Sequence, residues 1–209
     1  MQGRLIAIDF KKAFDSESRD FLFRTLSAFR FGPSFIQWIK TFYNNISSCV
    51  MNNGFATAFE IQRGVRQGDP LSSYLFIIVL EILNTSIRSN KNIQGIMVDG
   101  EEIKVQIFAD DLTAFLLNDI SILRFLKLLE LFGECPGLNF NRDKSEIMLL
   151  GNSRNLSLDL NLLNGIKIKK ALKILGIYFT YDNRTKQKLN FDELIDYIKK
   201  KLKIWSGET

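Results

Sequence analysis

Phe108-Ala109-Asp110-Asp111 sets two adjacent carboxylates between two apolar runs, Val105 to Phe108 and Leu112 to Leu117. Aspartate is rarely buried unless it is paired or bound to a metal, because taking its charge out of water is costly. A strand–Asp-Asp–strand hairpin would hold both charges at one turn and aim them at one point. A third carboxylate, Asp9, ends another apolar run, Leu5-Ile6-Ala7-Ile8. If these strands neighbour each other in one sheet, three carboxylates converge. Oxygen-only ligand sets suit Mg2+ or Mn2+. Two such ions, about 3.5–4 Å apart, clamp the attacking and leaving oxygens of a phosphoryl displacement. The bland alternatives are an Asp-rich turn for Asp110-Asp111 and a cap or strand-end charge for Asp9. They lose weight when the three residues are taken with their surroundings.

The elements that must position these residues follow from the hydrophobic pattern. Leu5 to Ile8 reads as a short buried strand. A helix from about Ser18 to Phe29 is stopped by Gly32-Pro33. Pro33-Ser34 opens a second helix with Phe35, Ile39 and Phe42 on one face. Ser48 to Met51 and Phe55 to Ile61 read as strands joined at Asn52-Asn53-Gly54. A polar loop, Arg66 to Ser72, runs into an apolar helix, Tyr74 to Ile87. A strand from Gly95 to Val98 and a turn at Asp99-Gly100 precede the Asp-Asp hairpin. Ser121 to Cys135 is amphipathic, with Leu123, Leu126, Leu129 and Phe132 inward. Glu146 to Leu150 and Ile174 to Phe179 read as strands, the latter with Gly176 inside it. Asp192 to Trp205 reads as a closing helix. This order predicts an α+β fold with a sheet of the split βαβ, ferredoxin-like type. Residues 1–185 form the main domain, and 186–209 begin a second lobe.

Composition narrows the chemistry. The chain of 209 residues is long enough for one substantial core. With no histidine, His-based triads and His-ligated zinc are excluded. Cys49 and Cys135 stand far apart without CxxC spacing, which disfavours a disulfide framework or a structural zinc and fits a reducing compartment. The apolar stretch Tyr74 to Leu83 is too short for a membrane span and contains Glu81. The N-terminus lacks a signal-peptide pattern. The net charge of +5 is unevenly spread. Residues 165–209 carry 11 Lys/Arg against 5 Asp/Glu, whereas residues 1–164 carry 17 against 18. A basic C-terminal lobe beside an acidic site suits a polyanion lying across a metal centre. The plain alternative is a solvated helix face.

Read in order, the motifs resemble those of reverse transcriptases. Leu5-Ile6-Ala7-Ile8-Asp9-Phe10-Lys11-Lys12-Ala13-Phe14-Asp15 resembles motif A. Arg66-Gln67-Gly68-Asp69-Pro70-Leu71-Ser72 resembles motif B, and Phe108-Ala109-Asp110-Asp111 resembles motif C. Leu138 to Leu150, with Lys144-Ser145-Glu146, is similar to motif D. Leu175-Gly176-Ile177 is similar to motif E, the primer grip. The Lys-Ala-Phe-Asp and Arg-Gln-Gly-Asp-Pro-Leu-Ser forms point to the non-LTR (LINE-type) retrotransposon branch. The resemblance covers about residues 4–181.

It implies an RNA-directed DNA polymerase palm using two Mg2+ or Mn2+ ions, an RNA template, a DNA primer and dNTPs. Asp9, Asp110 and Asp111 would be the catalytic metal ligands. Phe10, Phe14, Gln67 and Gly68 would lie at the nucleotide, with Phe14 excluding a ribose 2′-hydroxyl. Lys144 would be the candidate general acid toward pyrophosphate. Leu175 and Gly176 would form the primer grip, and Lys199, Lys200 and Lys203 would contact nucleic acid. The family's fingers precede motif A, and its thumb and endonuclease parts are not matched here. The expectation is therefore a palm-centred piece of a longer polypeptide, with a nuclear location implied by the family. The alternative is a noncatalytic, decayed or domesticated remnant that binds nucleic acid.

Overall fold

The computed structural model describes residues 2–50, 54, 57–66, 68–155 and 163–206. Its centre is a five-stranded sheet. Strand β1 (Gln2–Ile8) lies between β7 (Asp111–Leu116) and β8 (Glu146–Gly151), both antiparallel to it. Strand β6 (Val105–Phe108) pairs with β7 on one side, and β9 (Lys167–Ile168) runs parallel to β8 on the other, giving the order β6-β7-β1-β8-β9. Successive side chains on a strand point to opposite faces. Ile6, Ile8, Ala114 and Ile147 accordingly face the main core. Leu5, Phe115 and Met148 face a smaller cluster around Leu172. Strand β1 is covered on both faces, so its sequence is a continuous apolar run rather than an alternating one.

The main core is closed by helices α2 (Arg19–Ala28), α3 (Pro33–Phe42), α4 (Pro70–Ser89) and α5 (Asp119–Glu134). Ser18 caps α2 by accepting from the Phe21 N–H, and Asn118 caps α5 by accepting from the Ser121 N–H. Asp69 caps α4 by accepting from the Leu71 N–H. Pro70 occupies the first turn, where its missing N–H costs nothing. Helix α4 is 20 residues long and apolar enough, by length and composition, to cross a membrane. That length exceeds the stretch from Tyr74 to Leu83 on which the sequence alone excluded a span. Here the helix buries Leu75, Phe76, Val79, Leu83 and Ile87 at helical spacing as a core stripe. The carbonyls at its C-terminal end accept from Lys104 Nζ, at 3.1 Å from Arg88 and 2.9 Å from Asn90.

The smaller elements are hairpins. Strands β2 (Ser47–Ser48) and β3 (Phe59–Glu60) are much shorter than the pattern predicts. The expected turn residues Asn52 and Asn53, with Met51 and Phe55, lie outside the described residues. Strands β4 (Ile96–Val98) and β5 (Glu101–Ile103) join through Asp99-Gly100, both at positive φ. Ile174 to Phe179 is not one strand. It is the hairpin of β10 (Ala171–Ile174) and β11 (Ile177–Thr180), turned by Leu175-Gly176 at φ 48° and 85°. On α5, Leu123 points outward and Phe125 and Ile122 take the buried positions instead. Phe42 on α3 is likewise exposed. The short helix α1 (Ala13–Ser16) follows β1. The chain continues from β11 through α6 (Asn183–Gln187) and a π-helical turn, Lys188–Asp192, into α7 (Glu193–Ser206). The helical arm thus starts earlier than the Asp192 expected from sequence.

Candidate active site

The β1–β7 register ends at Ile8 opposite Leu112, and the β6–β7 register ends at Phe108 opposite Asp111. Asp9, one residue beyond β1, therefore emerges beside the turn that carries Asp110 and Asp111. Ala109 opens that turn at φ 52°, a left-handed conformation an L-residue adopts at some cost. Asp9 is half-buried, and Asp110 and Asp111 are exposed. Asp111 is held above the ordinary carboxylate range, first by its partial burial, then by the charges of Asp110 and Asp9. The three carboxylates thus share one field. Among the described residues no three Asp, Glu, His or Cys side chains are grouped closely enough to hold an ion as they stand. The donor set still fits a hard divalent cation. It is all oxygen, and its repulsion is the kind that a cation relieves.

Asp9 is fixed through its backbone. Pairing of β1 with β8 ends at Ala7 opposite Glu146, and beyond it β1's partner becomes the segment 139–141. The Asn141 N–H donates to the Asp9 carbonyl at 2.6 Å, and the Lys11 N–H donates to the Asn139 carbonyl at 2.8 Å. In the gap between the two partners, the Asp9 N–H donates to Ser145 Oγ at 3.2 Å. Lys144 is exposed on the three-residue turn just before Ser145.

Phe10 is buried in the main core with 8% exposure, which leaves its backbone rather than its ring available to a ligand. Phe14, on α1, is half-buried and leans on the fully buried Phe76 with ring centroids 4.7 Å apart. Its carbonyl accepts from the Val65 N–H at 2.7 Å, and the Glu17 carbonyl accepts from the Gly64 N–H at 2.8 Å. These bonds clasp α1 to the segment entering the Arg66–Ser72 loop. Gly64 makes the clasp possible. Its φ is 79°, and a Cβ there would sit 2.6 Å from the Phe14 carbonyl oxygen. Gln67 lies outside the described residues. Gly68, at φ 88°, faces open space. Leu175 and Gly176 form the tip of the β10–β11 hairpin, away from the five-stranded sheet's own ladder. Lys199, Lys200 and Lys203 lie exposed on α7.

Two features escape a reading of the sequence. Lys12, Arg19, Arg63 and Arg66 line a cleft of about 800 Å3 with Asp15, Ser47 and Ser48. Its cations come from three separate segments, so no local run announces it. Arg19 is braced by the Tyr43 carbonyl at 3.0 Å, and burial lowers its pKa from the ordinary guanidinium value. The second feature is Glu17, which is 1% exposed with neither carboxylate oxygen partnered among the described residues. Burial pushes its pKa up to about 8. An apolar groove of about 570 Å3 also runs between α4 and the Asp-Asp hairpin, lined by Pro70, Tyr74, Ile77 and Phe108.

Residues 3–179 match the family model described as reverse transcriptase (RNA-dependent DNA polymerase). The chain belongs to the reverse transcriptase family. This reverse transcriptase chain is 28% identical over 205 residues to the transposon TX1 uncharacterized 149 kDa protein of Xenopus laevis, matching 97% of the chain but 15% of that protein. It is 32% identical over 143 residues to a Pol polyprotein of a type-1 retrotransposable element R2 from Popillia japonica, covering 68% of the chain and 20% of that protein. These relatives are thus proteins of transposable elements, and the chain spans a minor part of their length. Among solved structures, telomerase from Candida albicans in complex with a TWJ fragment of telomeric RNA matches 86% of the chain and 29% of that protein, with a TM-score of 0.56 at 12% identity. Apo telomerase from Candida tropicalis matches with a TM-score of 0.52 at 14% identity, over 86% of the chain and 34% of that protein. The reverse transcriptase shares their fold over that span.

Proposed function

We propose that this chain is the palm of an RNA-directed DNA polymerase, adding dNTPs to a primer 3′-hydroxyl on an RNA template. The observation that carries the reading is the strand register that ends β1 at Ile8 opposite Leu112 and β6 at Phe108 opposite Asp111, setting Asp9 beside the Asp110-Asp111 turn, within a chain of this family. The sheet order β6-β7-β1-β8, antiparallel throughout, with helices between β1 and β6 and between β7 and β8, supports a split βαβ palm covering residues 1–185. Residues 186–209 would begin the thumb.

Asp9, Asp110 and Asp111 would hold two Mg2+ or Mn2+ ions. When bound, these would supply charge stabilisation and an activated 3′-hydroxyl. The chain's own residues position and screen. Phe14, backed by Phe76, offers a rigid ring at the sugar and selects against a 2′-hydroxyl. Gly68 has no side chain to obstruct an approaching nucleotide. Lys144 would deliver a proton to the leaving pyrophosphate. Leu175 and Gly176 would steady the primer end, where a left-handed non-glycine residue fits a strained functional turn. The exposed Tyr74 and Phe108 flanking the apolar groove suit stacking against bases or sugars. The basic C-terminal helix would bind the nucleic-acid backbone through Lys199, Lys200 and Lys203.

The remaining fingers, thumb and endonuclease parts would belong to a longer parent polypeptide acting at a chromosomal target. The test is primer extension on poly(rA)/oligo(dT) with Mg2+ or Mn2+, using the chain alone and joined to a fingers segment from an R2-type relative. Extension by either form, lost in Asp110→Asn, supports the reading. No extension above the Asp110→Asn background in both forms supports a noncatalytic remnant.

A further inference from the structure

We infer that Ser145 is a positioning residue for Asp9, and that its hydroxyl couples the turn carrying Lys144 to the metal-facing end of β1. The inference rests on the reading of Asp9 as a metal ligand.

Strand β1 changes partners at its functional end. Up to Ala7 it pairs with β8, and from Asp9 onward it pairs with the segment 139–141. At such a switch one backbone N–H faces neither ladder. That donor is Asp9's, and Ser145 Oγ accepts from it at 3.2 Å. The hydroxyl is itself aimed. It donates to the Asn141 carbonyl at 2.7 Å, and the Asn141 N–H returns to the Asp9 carbonyl at 2.6 Å. Asp9, Ser145 and Asn141 thus close a ring of hydrogen bonds that fixes both backbone groups of Asp9. Ser145 is fully buried, so its hydroxyl is turned to these partners and not to solvent. Its own backbone is also held, its N–H donating to the Asn141 carbonyl at 2.9 Å and its carbonyl accepting from Lys167 at 3.3 Å.

The consequence is specific. Asp9 lies past the last regular pair of β1, and the direction of its carboxylate follows its φ and ψ. Without the Ser145 hydroxyl, the Asp9 N–H loses its acceptor in a partly buried place, and the strand end gains freedom. A ligand that must meet an ion shared with Asp110 and Asp111 tolerates little such freedom. Partners that orient a metal ligand typically affect metal affinity by about 10–100-fold when removed.

The experiment is Mn2+ titration of the folded chain, read by electron paramagnetic resonance, alongside hydrogen exchange of the peptide spanning Ile8 to Phe10. Ser145→Ala and the similar-sized Ser145→Cys are compared with Ser145→Thr, which keeps the hydroxyl, and with Asp9→Asn. The expected result is a roughly tenfold weaker Mn2+ site in the Ala and Cys variants, with faster exchange at Asp9, and recovery of affinity in the Thr variant. Circular dichroism at the titration temperature keeps folding separate from binding, and the Cys variant guards against a cavity in the Ala variant. Unchanged Mn2+ affinity in folded Ser145→Ala or Ser145→Cys, with loss in Asp9→Asn, overturns the inference and leaves the metal site standing. A wild-type chain with no Asp9-dependent Mn2+ site overturns the metal reading and the inference with it.

Discussion

The two ends of this chain use apolar residues in opposite ways. In the body, Ile6, Leu22, Phe76, Leu83 and Phe125 are fully buried, and the central strand β1 is covered on both faces. In the arm, residues 183–205, no side chain is buried, although Leu194, Ile198, Leu202 and Trp205 recur along one helix face. The arm meets the body through a few polar bonds, such as Asn190 to the Tyr178 backbone at 2.7 and 2.9 Å. Stability therefore resides in the body, together with the carboxylates. The arm contributes charge and an apolar stripe but little to the fold's free energy, since burial is the main source of that energy.

The largest effect that would break this division is expected at Gly64→Ala. The added Cβ meets the Phe14 carbonyl at 2.6 Å and the Asp15 backbone at 2.7 Å, at a φ of 79° that disfavours any side chain. Backbone cannot retreat as a flexible side chain can. We expect a loss of roughly 3 kcal/mol or more in urea unfolding, combining left-handed strain with overpacking. The clasp between α1 and the Arg66–Ser72 loop would loosen as well. A Gly64→Ala chain with unchanged stability would show that the clasp is not part of the body's frame.

Glu17 tests the body from inside. Its carboxyl is buried without a partner among the described residues, and its pKa rises from an ordinary value of 4.5 to about 8 because burial disfavours the charge. The sign follows. Below pH 4.5 the group is neutral folded and unfolded, and the body is at its full stability with respect to this residue. As pH rises, the unfolded chain releases the proton first, and stability falls until the folded group ionises near pH 8. Glu17→Gln should flatten this part of the stability–pH curve measured by urea unfolding between pH 5 and 8. An unchanged slope would mean that Glu17 has an acceptable partner in solution.

Much of the body is legible in the sequence because its signals are local. Ser18 opens the first long helix where the pattern places it, and the run Leu5 to Ile8 ending on Asp9 announces the site strand, whereas α4 begins at Pro70 rather than at the Tyr74 where its apolar pattern starts. A helical period can place Leu123 inward, but Ile122 and Phe125 fit a slightly rotated one and take the core. Leu175-Gly176 is hidden inside an apparent strand because leucine is a poor residue for a left-handed turn. Ser145 cannot be foreseen as Asp9's partner, since that hydrogen bond joins positions 136 residues apart. The basic cleft is hidden for the same reason, its Lys12, Arg19 and Arg63 being scattered. Sequence thus reveals which groups carry charge, while the sheet order decides which of them meet.

The smallest effect is expected from removing the arm. Ending the chain after Asp182 forfeits no buried side chain in residues 183–205, so the body's thermal midpoint should move by only about 2 °C. The apolar stripe makes this informative, because a large drop would show that the stripe packs on the body in solution. Charge gives the complementary measurement. Lys199 and Lys200 are exposed, and neither forms an ion pair with a described carboxylate. If they meet phosphates, Lys199→Ala with Lys200→Ala should leave stability untouched and weaken binding of a single-stranded oligonucleotide. The log–log salt slope should fall by about 0.7 for each phosphate no longer neutralised. Lys12→Ala and Arg63→Ala in the body's cleft provide the contrast. Should they reduce the slope while the arm variants do not, the polyanion follows the body's cleft, and the arm's positive charge is a solvated face.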